Sequence, residues 1–170
     1  MKRIGWYGRL AAWIFALSLS AGALAQPVPG KDYELIKPAQ PTGSGAKVEV
    51  IEFFYYGCPA CNSLQTPLRA WLKKKPADVE FRRAPAMFHD AWLPLTKAYH
   101  AFDAMGVVDK VHYALFSAIH EQRVLSDKGL LKDPKPLFDW VAKQGVDRQQ
   151  FVDVFTSFGV GSRTNRSIEL

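Results

Sequence analysis

Two cysteines separated by two residues carry the most specific chemistry in this 170-residue chain. The spacing Cys58-Pro59-Ala60-Cys61 lets two sulfur atoms on the first turn of a helix close a small-ring disulfide. The N-terminal sulfur of such a pair is exposed, whereas the second is shielded one turn further into the helix. We therefore expect Cys58 and Cys61 to exchange disulfides rather than to staple the fold.

Three other uses of this pair are possible in principle. A structural disulfide across two residues would close so short a loop that its stabilising effect would be small. A zinc site would need two further ligands, and His89, His100, His112 and His120 include no pair at a spacing of three to five. A haem attachment motif would have histidine after the second cysteine, where this chain has Asn62. We predict neither a metal nor a cofactor.

The cysteines follow a predicted strand and begin a predicted helix. Val48 to Tyr56 form a run of β-branched and aromatic residues, typical of a strand buried on both faces of a sheet, and the run stops at Gly57. Pro59 suits the first turn of a helix, where its missing N–H costs nothing. A second strand is predicted from Val79 to Ala84. Residues 47–86 are thus expected to form a βαβ unit with parallel strands. The helix is indicated by apolar residues at helical spacing: Leu64, Leu68, Trp71 and Leu72.

The start of this helix should favour the thiolate form of Cys58. Unpaired backbone N–H groups and the positive end of the helix dipole both stabilise a negative charge there. An interaction of up to ~2 kcal/mol corresponds to about 1.5 pKa units. Because a stabilised thiolate favours the reduced pair, the oxidised pair should pass its disulfide on readily.

Residues 1–25 have the pattern of a bacterial signal peptide. Lys2, Arg3 and Arg9 precede an apolar run, and residues 23–25 (Ala-Leu-Ala) form the small-x-small site that signal peptidases accept. The alternative is an uncleaved signal anchor. Removing this segment lowers the formal net charge from +6 to +3, and the remaining basic clusters lack interleaved aromatic residues. We therefore expect a periplasmic protein that does not bind nucleic acid.

The rest of the chain divides into three parts. Residues 26–46 are expected to form an extended leader with a possible short strand at Tyr33 to Ile36. Residues 87–158 show helical periodicity, with Asp147 as a cap for a last helix that reaches Phe158. Residues 159–170 are expected to be a short irregular tail.

Three segments resemble the DsbA-type periplasmic thiol:disulfide oxidoreductases: EFFYYGCPAC, MGVVDKVHYALF and SFGVGS. The resemblance spans about Lys31 to Ser162. It implies an α/β, thioredoxin-like fold with an inserted helical domain. It also implies an enzyme that donates disulfides to newly exported proteins that contain cysteine. A DsbB-like, quinone-linked membrane protein would reoxidise this enzyme. Cys58 would be the nucleophile and Cys61 the resolving cysteine.

The same resemblance assigns supporting roles to Pro59, Ala60 and Glu52. Glu52 matches a family position where a buried acid lies near the active site; the alternative is an exposed carboxylate at the end of a strand. The family often has histidine at the position of Ala60. Because Ala60 offers no positive charge to a thiolate, we expect a milder oxidant.

The C-terminal part departs further from the family pattern. Only twelve residues follow Phe158, and no proline follows Pro136. We expect the chain to lack the family's cis-proline loop, closing β-hairpin and C-terminal helix. Two alternatives to a working oxidase stay open: a catalytically impaired fragment or non-catalytic binding module, and a disulfide reductase or isomerase. The latter would normally need a dimerisation domain, for which we find no segment, and we expect a monomer.

Overall fold

The computed structural model describes residues 26–35, 37–38 and 42–167. The predicted signal peptide lies outside these residues, as does Ile36 of the possible short strand. The segment 26–38 belongs to a separate unit from the rest of the chain. Within it, Pro29 and Tyr33 form one isolated bridge.

The unit from Thr42 onward begins with the predicted strand–helix–strand arrangement. Strands β1 and β2 are parallel, in a register that places Val48 opposite Val79 and Glu52 opposite Arg83. They form a two-stranded sheet within the described residues. The elements are β1 (Val48–Phe54), α1 (Pro59–Leu72) and β2 (Val79–Pro85).

Helices make up the remainder of this unit. Asp147 caps the helix that begins at Arg148, as predicted, because its side chain accepts a hydrogen bond of 2.7 Å from the Gln150 N–H. The elements after β2 are a short 3₁₀ helix (Asp90–Trp92), α2 (Leu93–Ala104), α3 (Val108–His120), α4 (Asp127–Leu130), α5 (Lys135–Lys143), α6 (Arg148–Phe155) and α7 (Phe158–Arg166).

The core joins the end of β1 to the helices. Phe54 and Tyr56 are both 1% exposed, their rings meet edge-on, and both rings are tilted against that of Phe116 of α3. Burial of these large apolar side chains is the main source of stability at this junction. Other fully buried members are Leu95, Phe102, Leu115, Leu137 and Phe151.

Strand β1 differs from its prediction in one respect. The sequence suggests a strand buried on both faces, but Phe53 is 54% exposed between the buried side chains of Glu52 and Phe54. The C-terminal end of β1 thus has one buried face and one open face. This open face borders the site described below.

The prediction of an irregular tail over residues 159–170 is wrong for most of this segment. Residues 158–166 form helix α7, and Phe158, predicted inside the preceding helix, instead begins this one and is 91% exposed. The Ser157 hydroxyl caps α7 by accepting the Val160 N–H at 3.3 Å. Val160 and Thr164, one turn apart, are each 1% exposed, so α7 buries one face. Burial of this face overrides the weak helix propensity of the glycines in the segment.

Candidate active site

The Cys58 sulfur lies at the start of helix α1, one residue before its first helical position. Cys58 is the N-cap residue, and its Sγ accepts the backbone N–H of Cys61 at 3.4 Å. Both cysteines are free thiols and partly exposed. The predicted proximity of the two side chains at the helix start is therefore present in the structure.

The surroundings shift the pKa values of the two thiols in opposite directions. Burial alone would raise the pKa of Cys58, but hydrogen bonds from the backbone of Cys61, the Cys61 thiol and the backbone of Ala60 lower it below its ordinary value. Burial raises the pKa of Cys61, and the nearby charges of Cys58 and Glu52 raise it further. The site thus favours the thiolate form at Cys58 more than at Cys61.

The two residues between the cysteines lie on the surface. Pro59 occupies the first helical position, where its lack of an N–H breaks no hydrogen bond, and Ala60 is exposed beside it. The Ala60 backbone contributes to the lowered pKa of Cys58. The Ala60 methyl group has no donor or charge to add to this effect.

Glu52 is buried, which decides between the two alternatives for this residue. The residue is 7% exposed, and its Oε2 accepts the Arg83 Nε–H at 3.1 Å. Its Oε1 accepts the Gln65 Nε2–H at 2.7 Å. Gln65 also donates to the Cys61 carbonyl oxygen at 2.9 Å, which connects the carboxylate to the helix that carries the dithiol.

Sequence reasoning did not identify Gln65 and Arg83 as site residues. Gln65 lies one helical turn after Cys61, a spacing that places both side chains on one face of α1. Arg83 lies directly opposite Glu52 in the β1–β2 register. The first relation could have been found from the helix period, whereas the second depends on a register that the sequence alone does not determine.

An apolar pocket adjoins both cysteines. Its volume is about 330 Å³, and its lining includes Phe53, Tyr55, Phe88 and Trp92. Phe88 is 76% exposed, so the pocket opens to solvent. The arrangement provides an apolar surface beside a reactive sulfur, where a polypeptide with apolar side chains could lie.

The described residues show neither a metal-binding cluster nor a membrane-spanning helix. No group of three or more His, Cys, Asp or Glu side chains among them is arranged to hold a metal ion. Nor does that part of the chain contain a helix long and apolar enough to cross a membrane.

The chain is similar in sequence to several proteins named DsbA. The chain is 41% identical over 166 residues to the thiol:disulfide interchange protein DsbA of Burkholderia cepacia, a match that covers 95% of this chain and 76% of the relative. It is 38% identical over 164 residues to DsbA of Pseudomonas syringae pv. tomato, covering 95% of this chain and 72% of that protein. No family model matches the chain.

Solved structures give the same result for the fold. The crystal structure of the oxidoreductase DsbA from Xylella fastidiosa superposes with a TM-score of 0.69 at 34% identity, over 74% of this chain and 66% of that one. Pseudomonas aeruginosa DsbA gives a TM-score of 0.64 at 33% identity, over 86% and 67% of the two chains. The chain thus spans about two thirds of the length of these structures.

Proposed function

This chain belongs to the DsbA family of thiol:disulfide oxidoreductases, and we propose that its Cys58–Cys61 pair donates disulfide bonds to exported proteins. The solved relatives confirm the predicted thioredoxin-like α/β fold with its large helical part. One observation supports the direction of exchange above all others. Hydrogen bonds at the start of α1 lower the pKa of Cys58, which stabilises the reduced pair and so weakens the disulfide.

The reaction transfers one disulfide from the enzyme to its client. A client thiolate attacks the Cys58 sulfur of the oxidised pair, the Cys58–Cys61 bond breaks, and Cys61 leaves as a thiolate that takes up a proton. A second client thiolate then attacks the client sulfur of the mixed disulfide. This step forms the client disulfide, and Cys58 leaves as the thiolate that its surroundings stabilise.

The roles of the two cysteines follow from their different surroundings. Cys58 is the nucleophile and client-bound sulfur, because its pKa is lowered and its sulfur lies at the exposed helix start. Cys61 is the resolving cysteine, held mainly as a thiol by burial and by the charges of Cys58 and Glu52. Glu52 thus contributes to the difference between the two sulfurs.

The remaining parts of the proposal concern place and partners. The signal-peptide pattern in residues 1–25 supports action in the periplasm, where newly exported proteins with cysteines are the clients. After each transfer the chain holds a dithiol, so a membrane protein of the DsbB type, linked to quinones, reoxidises it. We expect the enzyme to act as a monomer.

The test uses the disulfide-linked dimer of a peptide that contains one cysteine. A Cys58 thiolate that attacks the dimer retains one peptide and releases the other. In Cys61→Ser no second thiol resolves the adduct, so mass spectrometry should find one peptide bound at Cys58. The Cys58→Ser variant should form no comparable adduct at the same pH.

Other outcomes would contradict specific parts of the proposal. Equal adducts on the two variants would overturn the assignment of nucleophile and resolving cysteine. A wild-type chain that exchanges with neither the peptide dimer nor glutathione would support the non-catalytic binding module. The reductase alternative would gain support if the wild-type pair were no more oxidising than glutathione.

A further inference from the structure

The side chain of Tyr55 is held by two partners. Its ring stacks on the indole of Trp92, with ring centroids 4.0 Å apart and planes inclined by 5°. Its hydroxyl donates to Asp127 Oδ2 at 3.3 Å, and the residue is 6% exposed. Trp92 belongs to the 3₁₀ helix and Asp127 to α4, so Tyr55 connects the end of β1 to two elements of the helical part. We refer to Tyr55, Trp92 and Asp127 as the Tyr55 clamp.

The backbone of the same residue forms a hydrogen bond with Cys58. The Cys58 N–H donates to the Tyr55 carbonyl oxygen at 3.0 Å, which closes the turn between β1 and α1. The Tyr55 backbone also lowers the pKa of Cys61, against the larger effect of burial, which raises it. A displacement of Tyr55 would therefore move the turn that leads into Cys58 relative to the start of α1.

Gly57 shows how closely the clamp covers this turn. A methyl group at this position would lie 2.5 Å from Tyr55 Cε1 and 2.6 Å from Asp127 Oδ2. Both distances are far below ordinary van der Waals contact. The ring of Tyr55 and the carboxylate of Asp127 thus lie directly against the backbone that leads into Cys58, and only glycine fits there.

We propose that Tyr55 is a positioning residue for the dithiol, which it acts on through the backbone of residues 55–58. By fixing this backbone, the clamp holds the Cys58 sulfur where the N–H groups at the start of α1 reach it. The inference rests on the proposed function, because it assigns Tyr55 a part in the redox balance of the same pair. The helical part thereby contributes to the reactivity of cysteines that lie outside it.

The experiment compares the full chain with its Tyr55→Leu variant, which removes the ring. Thiolate absorbance against pH gives the Cys58 pKa of the reduced chain, and equilibration with glutathione gives the oxidising strength. We expect the Cys58 pKa of Tyr55→Leu to rise by about half a unit or more, equivalent to about a threefold loss of thiolate at a given pH below the pKa. The oxidising strength should fall with it. Tyr55→Phe keeps the ring and should recover most of the wild-type value.

Tyr99→Leu is the matched control. Tyr99 is also a buried tyrosine, 8% exposed, and its hydroxyl donates to the Arg83 carbonyl oxygen at 3.4 Å. Its loss should lower the melting temperature without changing the Cys58 pKa. Trp92→Leu, which removes the stacking partner from the other side of the clamp, should shift the pKa in the same direction as Tyr55→Leu and provides the test if Tyr55→Leu does not fold.

The wild-type measurements separate this inference from the function on which it rests. A wild-type chain with no lowered Cys58 pKa and no exchange with glutathione would overturn the proposed function itself. If the wild type exchanges normally, an unchanged Cys58 pKa in Tyr55→Leu and Trp92→Leu would overturn only the positioning role. An equal shift in Tyr99→Leu would also overturn it, because the effect would then be a general result of weakened packing.

Discussion

The Cys58 sulfur shows how small local contacts determine redox chemistry. Hydrogen bonds from the backbone of Cys61 and Ala60 outweigh the cost of partial burial and lower the Cys58 pKa, while burial raises that of Cys61. Cys58 therefore ionises more readily than Cys61, which makes its sulfur the better attacking and leaving group. This difference arises three residues apart on one helical turn.

The methyl group of Ala60 leaves room to strengthen the effect at Cys58. In Ala60→His, a protonated imidazole beside the thiolate should lower the Cys58 pKa further and make the pair more oxidising, by about tenfold for each pKa unit gained. Equilibration with glutathione measures the change. Ala60→Leu, which adds bulk without charge, is the control, and a histidine variant no more oxidising than the leucine variant would contradict this explanation.

Much of this site could be predicted from single residues and their spacing, but not its buried contacts. The Cys-Pro-Ala-Cys pattern directly identifies the dithiol and the helix start. Glu52 could be identified as a candidate, but its burial depends on Arg83 and Gln65, which neutralise and hydrogen-bond the carboxylate. Arg83 is 31 residues away in sequence, and only the strand register brings it opposite Glu52.

At the scale of elements, the turn between β1 and α1 depends on Gly57. Gly57→Ala should destabilise the fold by about 1–3 kcal/mol, because its methyl group overlaps the Tyr55 ring and the Asp127 carboxylate. Urea unfolding measures the loss. The control is Gly129→Ala in α4, where an added methyl group meets nothing within 4 Å. An equal loss of stability in both variants would contradict the steric explanation.

Helix α7 illustrates where prediction of elements from sequence fails. Its segment contains Gly159 and Gly161, and Phe158 continues the helical spacing of apolar residues in the preceding helix. The helix forms because Val160 and Thr164 are buried, and Arg163 adds an exposed ion pair of 3.1 Å with Asp103 of α2 that contributes little by itself. Both contacts depend on tertiary structure. By contrast, α1 and β2 have periodic patterns of their own and were predicted correctly.

At the scale of the whole molecule, buried histidines make stability depend on pH. His112 is fully buried, with Nδ1 2.9 Å from the Tyr56 hydroxyl, and burial together with the charge of Arg83 lowers its pKa to about 3. Burial also lowers the pKa of the half-buried His100 to about 4. The unfolded chain binds more protons than the folded one between these values and about 6.5. The stabilising effect is therefore complete above pH 6.5 and is lost as the pH falls.

Urea unfolding near pH 7.5 and near pH 5 should detect this dependence. His112 alone should lower the free energy of unfolding by about 2 kcal/mol between pH 6.5 and pH 5, and His100 should add to the decrease. In His112→Gln, the side chain can still accept the Tyr56 hydroxyl but does not titrate, so the decrease should be smaller. An unchanged pH dependence in this variant would exclude His112 as a cause.

The position of Cys58 at the N-cap of α1 has a consequence for how far this protein can be stabilised. Serine, aspartate and asparagine cap helices well and would serve the fold at this position, but each would remove the reactive sulfur. A better helix cap would therefore remove the sulfur that we propose as the nucleophile. At position 58, the side chain that best stabilises the helix is not the one that carries the sulfur. A search for thermostable variants would therefore have to leave Cys58 unchanged.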